Sequence, residues 1–293
     1  MKKILLPILI ALASLTCNDS ERDQSTAKQV DQQQTKPDST SGYAPVNGIK
    51  LYYEIHGDGK PLVLIHGGGS TIKTTFGTIL PLLAKYHKVI AVELQAHGHT
   101  ADRDSAESFE QDANDVVALL DYLKISKADF LGFSNGGHTA MQIGISHPQS
   151  VNKLIIVSAF YKRDGTIKGF FDGLANATLD NMPLPLRTAY LEINNDSAGL
   201  KRMFEKDRSR MVQFKDWTDA DLASIKAPAL IVAGDKDVVT TEHSVKMAQL
   251  IPHSQLMILP GTHGSFIGEV CTAIPGSKLP DLTVAAFETF LNN

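Results

Sequence analysis

The sequence predicts a doubly wound, mostly parallel α/β sheet carrying an inserted helical lid, and three observations predict it. Short, nearly continuous apolar runs alternate with helix-period segments, the pattern of parallel strands covered on both faces. A Gly-x-Ser-x-Gly pentapeptide, Gly132-Phe133-Ser134-Asn135-Gly136, ends one apolar run and opens a helical pattern. An interval of about 65 residues, Phe160 to Ser224, separates two consecutive core runs, far more than a compact core needs for a connection.

The elements follow in chain order. Asn47-Gly48 is a hairpin signal between the stretch near Tyr43 and the run Ile49 to His56. The core strands are expected at Leu62 to Ile65, Val89 to Val92, Phe130 to Phe133, Leu154 to Val157, Leu230 to Ala233 and Leu256 to Leu259. Between the second and third, Phe109, Ala113, Val116, Val117, Leu120 and Leu123 form one apolar stripe, which predicts a helix over Phe109 to Leu123. Ser108 and Gln111 suit a capping box at its start. A closing helix is expected from Asp281, with Val284, Phe287, Phe290 and Leu291 facing inward. The interval 160–224 holds helical patterns, the charged stretch Lys201 to Arg210 and the only tryptophan, Trp217. An insertion at the strand C-terminal ends of such a sheet lies near its functional loops, hence the expectation of a lid.

At 293 residues and 43% hydrophobic content the chain can bury a large core, and the motif spacing assigns one domain from 43 to 293. A net charge of −4, with both signs interspersed, excludes the basic stripe of a nucleic-acid binder. Lys2 and Lys3 precede the apolar run Ile4 to Leu12 and a small-residue stretch ending at Cys17, which is the pattern of a secretory signal over 1–17. Cys17 stands where bacterial lipoproteins carry their acylated cysteine, although Ser14-Leu15-Thr16 departs from the usual residues before it. The expectation is a bacterial envelope protein attached to the membrane through an acylated Cys17, the alternative a plain secretory signal. Residues 18–42, polar and nearly without large apolar groups, are expected to be a disordered tether. Cys271 is expected to be a buried, chemically idle thiol, and no disulfide is predicted.

Chemistry points to Ser134. A serine hydroxyl is a poor nucleophile at its own pKa and needs a base. His263, in Pro260-Gly261-Thr262-His263 after the last strand, is that candidate. A histidine base needs an acceptor that fixes its tautomer. Asp235 and Asp237 both follow the preceding strand; Asp237, farther out on the loop, is favoured, while Asp235 can bond local amides. The oxyanion formed on attack needs preorganised donors. The backbone N–H groups of Asn135 and Gly68 are nominated, Gly69 being the near alternative within His66-Gly67-Gly68-Gly69. This machinery calls for no metal and no cofactor. His97 and His99 have ligand-like spacing but no convincing third partner, so they and His66 are expected to be structural or pocket-lining.

Taken together, the elbow, the glycine-rich turn, the acid and the histidine, in the order Ser, Asp, His, resemble the α/β-hydrolase fold family. Within it the chain looks like the single-domain, lid-bearing members grouped with esterases, carbon-carbon bond hydrolases and cofactor-free haloperoxidases. The segment Glu93 to Thr100 is similar to the family loop Asp-x-Arg-Gly-His-Gly-x-Ser, departing from it at Gln95, Ala96 and Thr100. The resemblance implies a serine hydrolase that cleaves an ester-like bond of a small molecule through an acyl-enzyme. Carbon-carbon hydrolysis, halide peroxidation and a non-catalytic envelope lipoprotein stay open as alternatives.

Overall fold

The computed structural model describes residues 39–293. The signal at 1–17, Cys17 and all but the end of the tether lie outside the described residues. Strand β1 (Thr40–Val46) starts within the stretch expected to be tether. Its first residues, Thr40 and Ser41, are exposed and hold their place through backbone pairing with Ile55 and Glu54 of β2 (Ile49–His56), so an apolar pattern could not mark them. The turn between these strands has positive φ at both Asn47 (41°) and Gly48 (85°), the geometry of a tight hairpin.

The chain continues through β3 (Lys60–Ile65), α1 (Ile72–Phe76), α2 (Leu80–Leu83), β4 (His87–Val92), α3 (Phe109–Tyr122), β5 (Ala128–Phe133), α4 (Asn135–Ser146) and β6 (Val151–Val157). The insertion carries α5 (Phe170–Ala175), α6 (Leu184–Asn194), α7 (Ser197–Val212) and α8 (Asp219–Ser224). Then follow β7 (Ala229–Gly234), α9 (Thr241–Leu250), β8 (Ser254–Leu259) and α10 (Leu279–Asn292). The sheet order is β1-β2-β4-β3-β5-β6-β7-β8; β1 and β2 are antiparallel to their neighbours and the rest is parallel.

The unbroken apolar runs have a simple cause. Alternate residues feed two separate cores: Val63, Ile65, Ile90, Phe130, Leu154 and Ile231 face α3, α4 and α9, whereas Leu62, Leu64, Val89, Leu131, Ile155 and Leu230 face α1, α2 and α10. Both faces being dry, neither parity can be polar. The start of α3 is capped by Ser108, whose hydroxyl accepts from the Gln111 amide at 3.1 Å. The reciprocal half of the box is absent, because the Gln111 side chain donates to Asp115 instead. The closing helix begins at Leu279, two residues before the expected Asp281, with Pro280 at its first turn.

Strand β3 has β4 on one side and β5 on the other, so the chain reverses its direction of travel across the sheet there. A crevice opens outside the strand C-termini at such a switch point. The segments leaving β3 and β5 are His66-Gly67-Gly68-Gly69 and Ser134, which is why those two meet.

Candidate active site

Ser134 sits between β5 and α4 with φ 54° and ψ −117°, a strained backbone for a residue with a side chain. Two glycines make the turn feasible. A Cβ on Gly132 would collide with the Gly136 carbonyl, and one on Gly136 with the Ile65 carbonyl of the neighbouring strand. Close packing of helix against strand thus pushes the Ser134 hydroxyl out at the top of the sheet.

The expected residues come together. The Ser134 Oγ lies 3.0 Å from His263 Nε2, and His263 Nδ1 lies 2.7 Å from Asp237 Oδ1. Asp235 is elsewhere: its carboxylate accepts the Gly261 amide at 2.7 Å and so shapes the loop that carries His263. Asp237 is buried, and burial alone would raise its pKa. Hydrogen bonds from His263, from Ser158 and from the Gly234 amide outweigh that and hold it below the ordinary carboxylate value. With Asp237 an anion, Nδ1 of His263 carries the proton and Nε2 is left to accept from Ser134.

Near Ser134, the amide of Gly68 has no acceptor among the described residues, and that of Asn135 is a free first-turn amide of α4. The Gly69 amide is taken: it donates to Asp207 Oδ2 at 2.5 Å. That separates the two glycines left open by the sequence, leaving Gly68 with the free donor.

Three participants were missed by sequence reasoning. Ser158, immediately after β6, is buried at φ 54° and donates to Asp237 Oδ2 at 2.5 Å. His138, one turn into α4, donates from Nδ1 to the Ser134 carbonyl at 3.0 Å and packs among Phe109, Phe160 and Phe214. Burial lowers its pKa to about 3, so the ring is neutral and adds no charge beside Ser134. Asp207 reaches in from lid helix α7. Its signal was legible in principle, since Asp207 and Arg210 fall on the inward stripe Leu200, Met203, Met211 of a helix whose Lys201, Arg202 and Glu205 face out.

Asp207 belongs to a buried polar cluster. Oδ2 also meets His97 Nε2 at 2.9 Å; Oδ1 accepts from Asn135 Nδ2 at 3.2 Å and from Arg210, and Arg210 also pairs with Asp112 at 2.6 Å. Burial would lower the His97 pKa, but the charge and hydrogen bond of Asp207 lift it to about 9. For Asp207 itself burial acts upward, while His97 and Arg210 hold it far below the ordinary carboxylate range. Glu107 nearby is pushed up to about 8, by burial first and by Asp207 second. His66 stays neutral, lowered to about 3 by burial and then by the His97 charge; it donates to the Gly67 carbonyl and accepts the Leu94 amide, which pins the glycine-rich turn. His99 is bonded to Glu93 and stacked on Tyr52.

The cavity over Ser134 has a volume of about 320 Å³. Its walls come from the lid, chiefly Phe170, Leu174, Met182, Leu186, Met203 and Phe204, with Phe160 and Val238 from the sheet side. Such a space takes an apolar group of modest size. Cys271, expected buried, is exposed, with its thiol pushed up to about 12 by partial burial and by Glu269, so thiolate chemistry is disfavoured there.

A match to the family described as alpha/beta hydrolase fold spans residues 60–270, and the chain belongs to that family of hydrolase enzymes. Among its relatives, it is 32% identical over 239 residues to serine hydrolase BPHL of Homo sapiens, covering 76% of this chain and 80% of that one. It is 27% identical over 233 residues to 2-hydroxy-6-oxo-2,4-heptadienoate hydrolase of Pseudomonas putida, covering 72% and 84%. In fold it is similar to a serine hydrolase involved in carbazole degradation, with a TM-score of 0.71, 21% identity and coverage of 87% of this chain and 99% of that one.

Proposed function

We propose that this protein is a serine hydrolase that cleaves an ester-like bond of a small, largely apolar molecule through an acyl-enzyme. The observation that carries the reading is the continuous hydrogen-bonded chain Ser134–His263–Asp237, at 3.0 and 2.7 Å, beneath an apolar cavity. His263 Nε2 takes the Ser134 proton as Oγ bonds to the carbonyl carbon, and the electron pair displaced onto oxygen is met by the Gly68 and Asn135 amides. Collapse of this adduct breaks the bond to the leaving alkoxide, which receives the proton from His263. Water then repeats the sequence, transferring its proton to His263 and releasing the acid and free Ser134. Asp237 stays ionised throughout and steadies the imidazolium.

Two measurements test this. A fluorophosphonate probe should label wild type and not Ser134→Ala. A chromogenic ester series of graded acyl length should be turned over by wild type alone, kcat/KM rising about fourfold per added methylene, as about 0.8 kcal/mol of burial implies, until the cavity is filled. Unlabelled folded wild type would refute the reading. Carbon-carbon hydrolysis is a second reading, supported by the likeness to the heptadienoate hydrolase; turnover of a vinylogous diketone with esters left intact would favour it. The N-terminal pattern around Cys17 supports envelope attachment, to be tested by labelled palmitate incorporation that Cys17→Ala abolishes.

A further inference from the structure

We propose that Asp207 is a positioning residue that sets the oxyanion donors from the lid, its carboxylate gripping both walls of the oxyanion hole at once. The inference rests on the reading of Ser134 as nucleophile. One wall is the Gly68-Gly69 turn, whose Gly69 amide donates to Oδ2 at 2.5 Å; the other is Asn135, whose side chain donates to Oδ1 at 3.2 Å. The free amides of Gly68 and Asn135 each belong to a residue that Asp207 holds or adjoins. Gly68 confirms the tightness of the fit: a Cβ there would collide with the Asn135 side-chain nitrogen and come to 3.0 Å from Asp207 Oδ2.

Alternatives for the Gly69 amide are poor. His97 Nε2 lies 3.1 Å from it but points its own proton at Asp207, so only the carboxylate can accept. An uncompensated anion beside a developing oxyanion would oppose catalysis. Here His97 and Arg210 both pair with Asp207, so it offers directed acceptors with most of its field cancelled. Because Asp207 lies on α7, the helix that walls the cavity with Met203 and Phe204 is also the one that holds both donor-bearing segments.

The test uses Asp207→Ala and Asp207→Asn in the full chain, with p-nitrophenyl butyrate as substrate and a propyl trifluoromethyl ketone as transition-state analogue. Wild type is first labelled at Ser134 with fluorophosphonate; failure there sinks the underlying reading and this inference with it. With labelling secured, Asp207→Ala should lower kcat by about 10- to 100-fold, less than outright loss of a donor, and weaken the ketone by the same factor while KM moves little. Asp207→Asn keeps the shape and one acceptor, and should recover most of the loss. If Asp207→Ala does not fold, the Asn variant alone should still show kcat and ketone affinity falling together, by about threefold to tenfold. Unchanged kcat and ketone binding in a folded variant, a loss confined to KM, or equal losses in both variants would overturn the proposal.

Discussion

Replacing Ser158 by alanine isolates one strong hydrogen bond to Asp237. The Ser158 hydroxyl donates to Oδ2 at 2.5 Å from a fully buried position, while the other donor to that oxygen, the Gly234 amide, is at 3.2 Å. Oδ1 is served separately, by His263 and by the Val238 amide, both at 2.7 Å. Alanine keeps the Cβ, so the φ of 54° is no more strained than before. The loss is therefore that of a charge-assisted bond, about 1.5–3 kcal/mol. For a domain of this size that lowers Tm by about 3–12 °C. The folded pKa of Asp237 lies below its unfolded value of about 3.8, so the contribution is fully present above pH 3.8 and is lost as pH falls through the folded value. The difference in Tm between variant and wild type should accordingly be flat from about pH 8 to 5 and shrink only below the unfolded carboxylate value. Since His263 bonds to the other oxygen, kcat should fall less than about tenfold, with KM unchanged. Scanning calorimetry across pH and ester kinetics give both numbers. A Tm shift below about 1 °C, or a kcat loss as large as that of Asp237→Asn, would refute the reasoning.

Asp237→Asn should cost on the order of 10⁴-fold in kcat, because the amide presents the wrong tautomer partner to His263, while Asp235→Asn, which still accepts the Gly261 amide, should stay within about threefold; steady-state ester kinetics decide, and a larger loss at Asp235 would reverse the assignment. The His97 pKa is raised from 6.5 to about 9 in the folded protein, so its stabilisation is complete below pH 6.5 and fades as pH climbs to 9, by up to about 3 kcal/mol. Glu107, raised to about 8, pushes the same way, since the unfolded chain ionises it first. Melting curves from pH 6.5 to 9 should show Tm falling in wild type and a shallower fall in His97→Gln; parallel slopes would count against an imidazolium at His97.

What could be read from the sequence follows from what each residue answers to. The core strands were legible because both their faces are dry, so every position along Leu62 to Ile65 or Leu230 to Ala233 obeys one rule. Ser134 was legible because backbone crowding demands glycine at 132 and 136 whatever the substrate. The His263 and Asp237 positions followed from strand ends and loop length. By contrast, nothing in the sequence marks the start of β1, because the exposed Thr40 and Ser41 are held by backbone pairing with Ile55 and Glu54. Ser158 was silent because a serine after a strand has many bland uses, and only the arrival of Asp237 from 79 residues away gives it one.

Asp207 shows why the second layer of such a site escapes local reading altogether. Within Lys201 to Arg210 it is one charge among seven, and charges on an amphipathic helix belong by default to water. Burying it unpaired would cost several kcal/mol, so its placement depends on His97 from the loop after β4, on Arg210 one turn onward and on two donors beside Ser134, the Gly69 amide and the Asn135 side chain, all being present together. None of those partners is near it in sequence except Arg210. A carboxylate satisfied by four separate donors ties α7 to the turn after β3, to the loop after β4 and to the start of α4 at once, and the apolar wall that α7 carries is thereby fixed over Ser134.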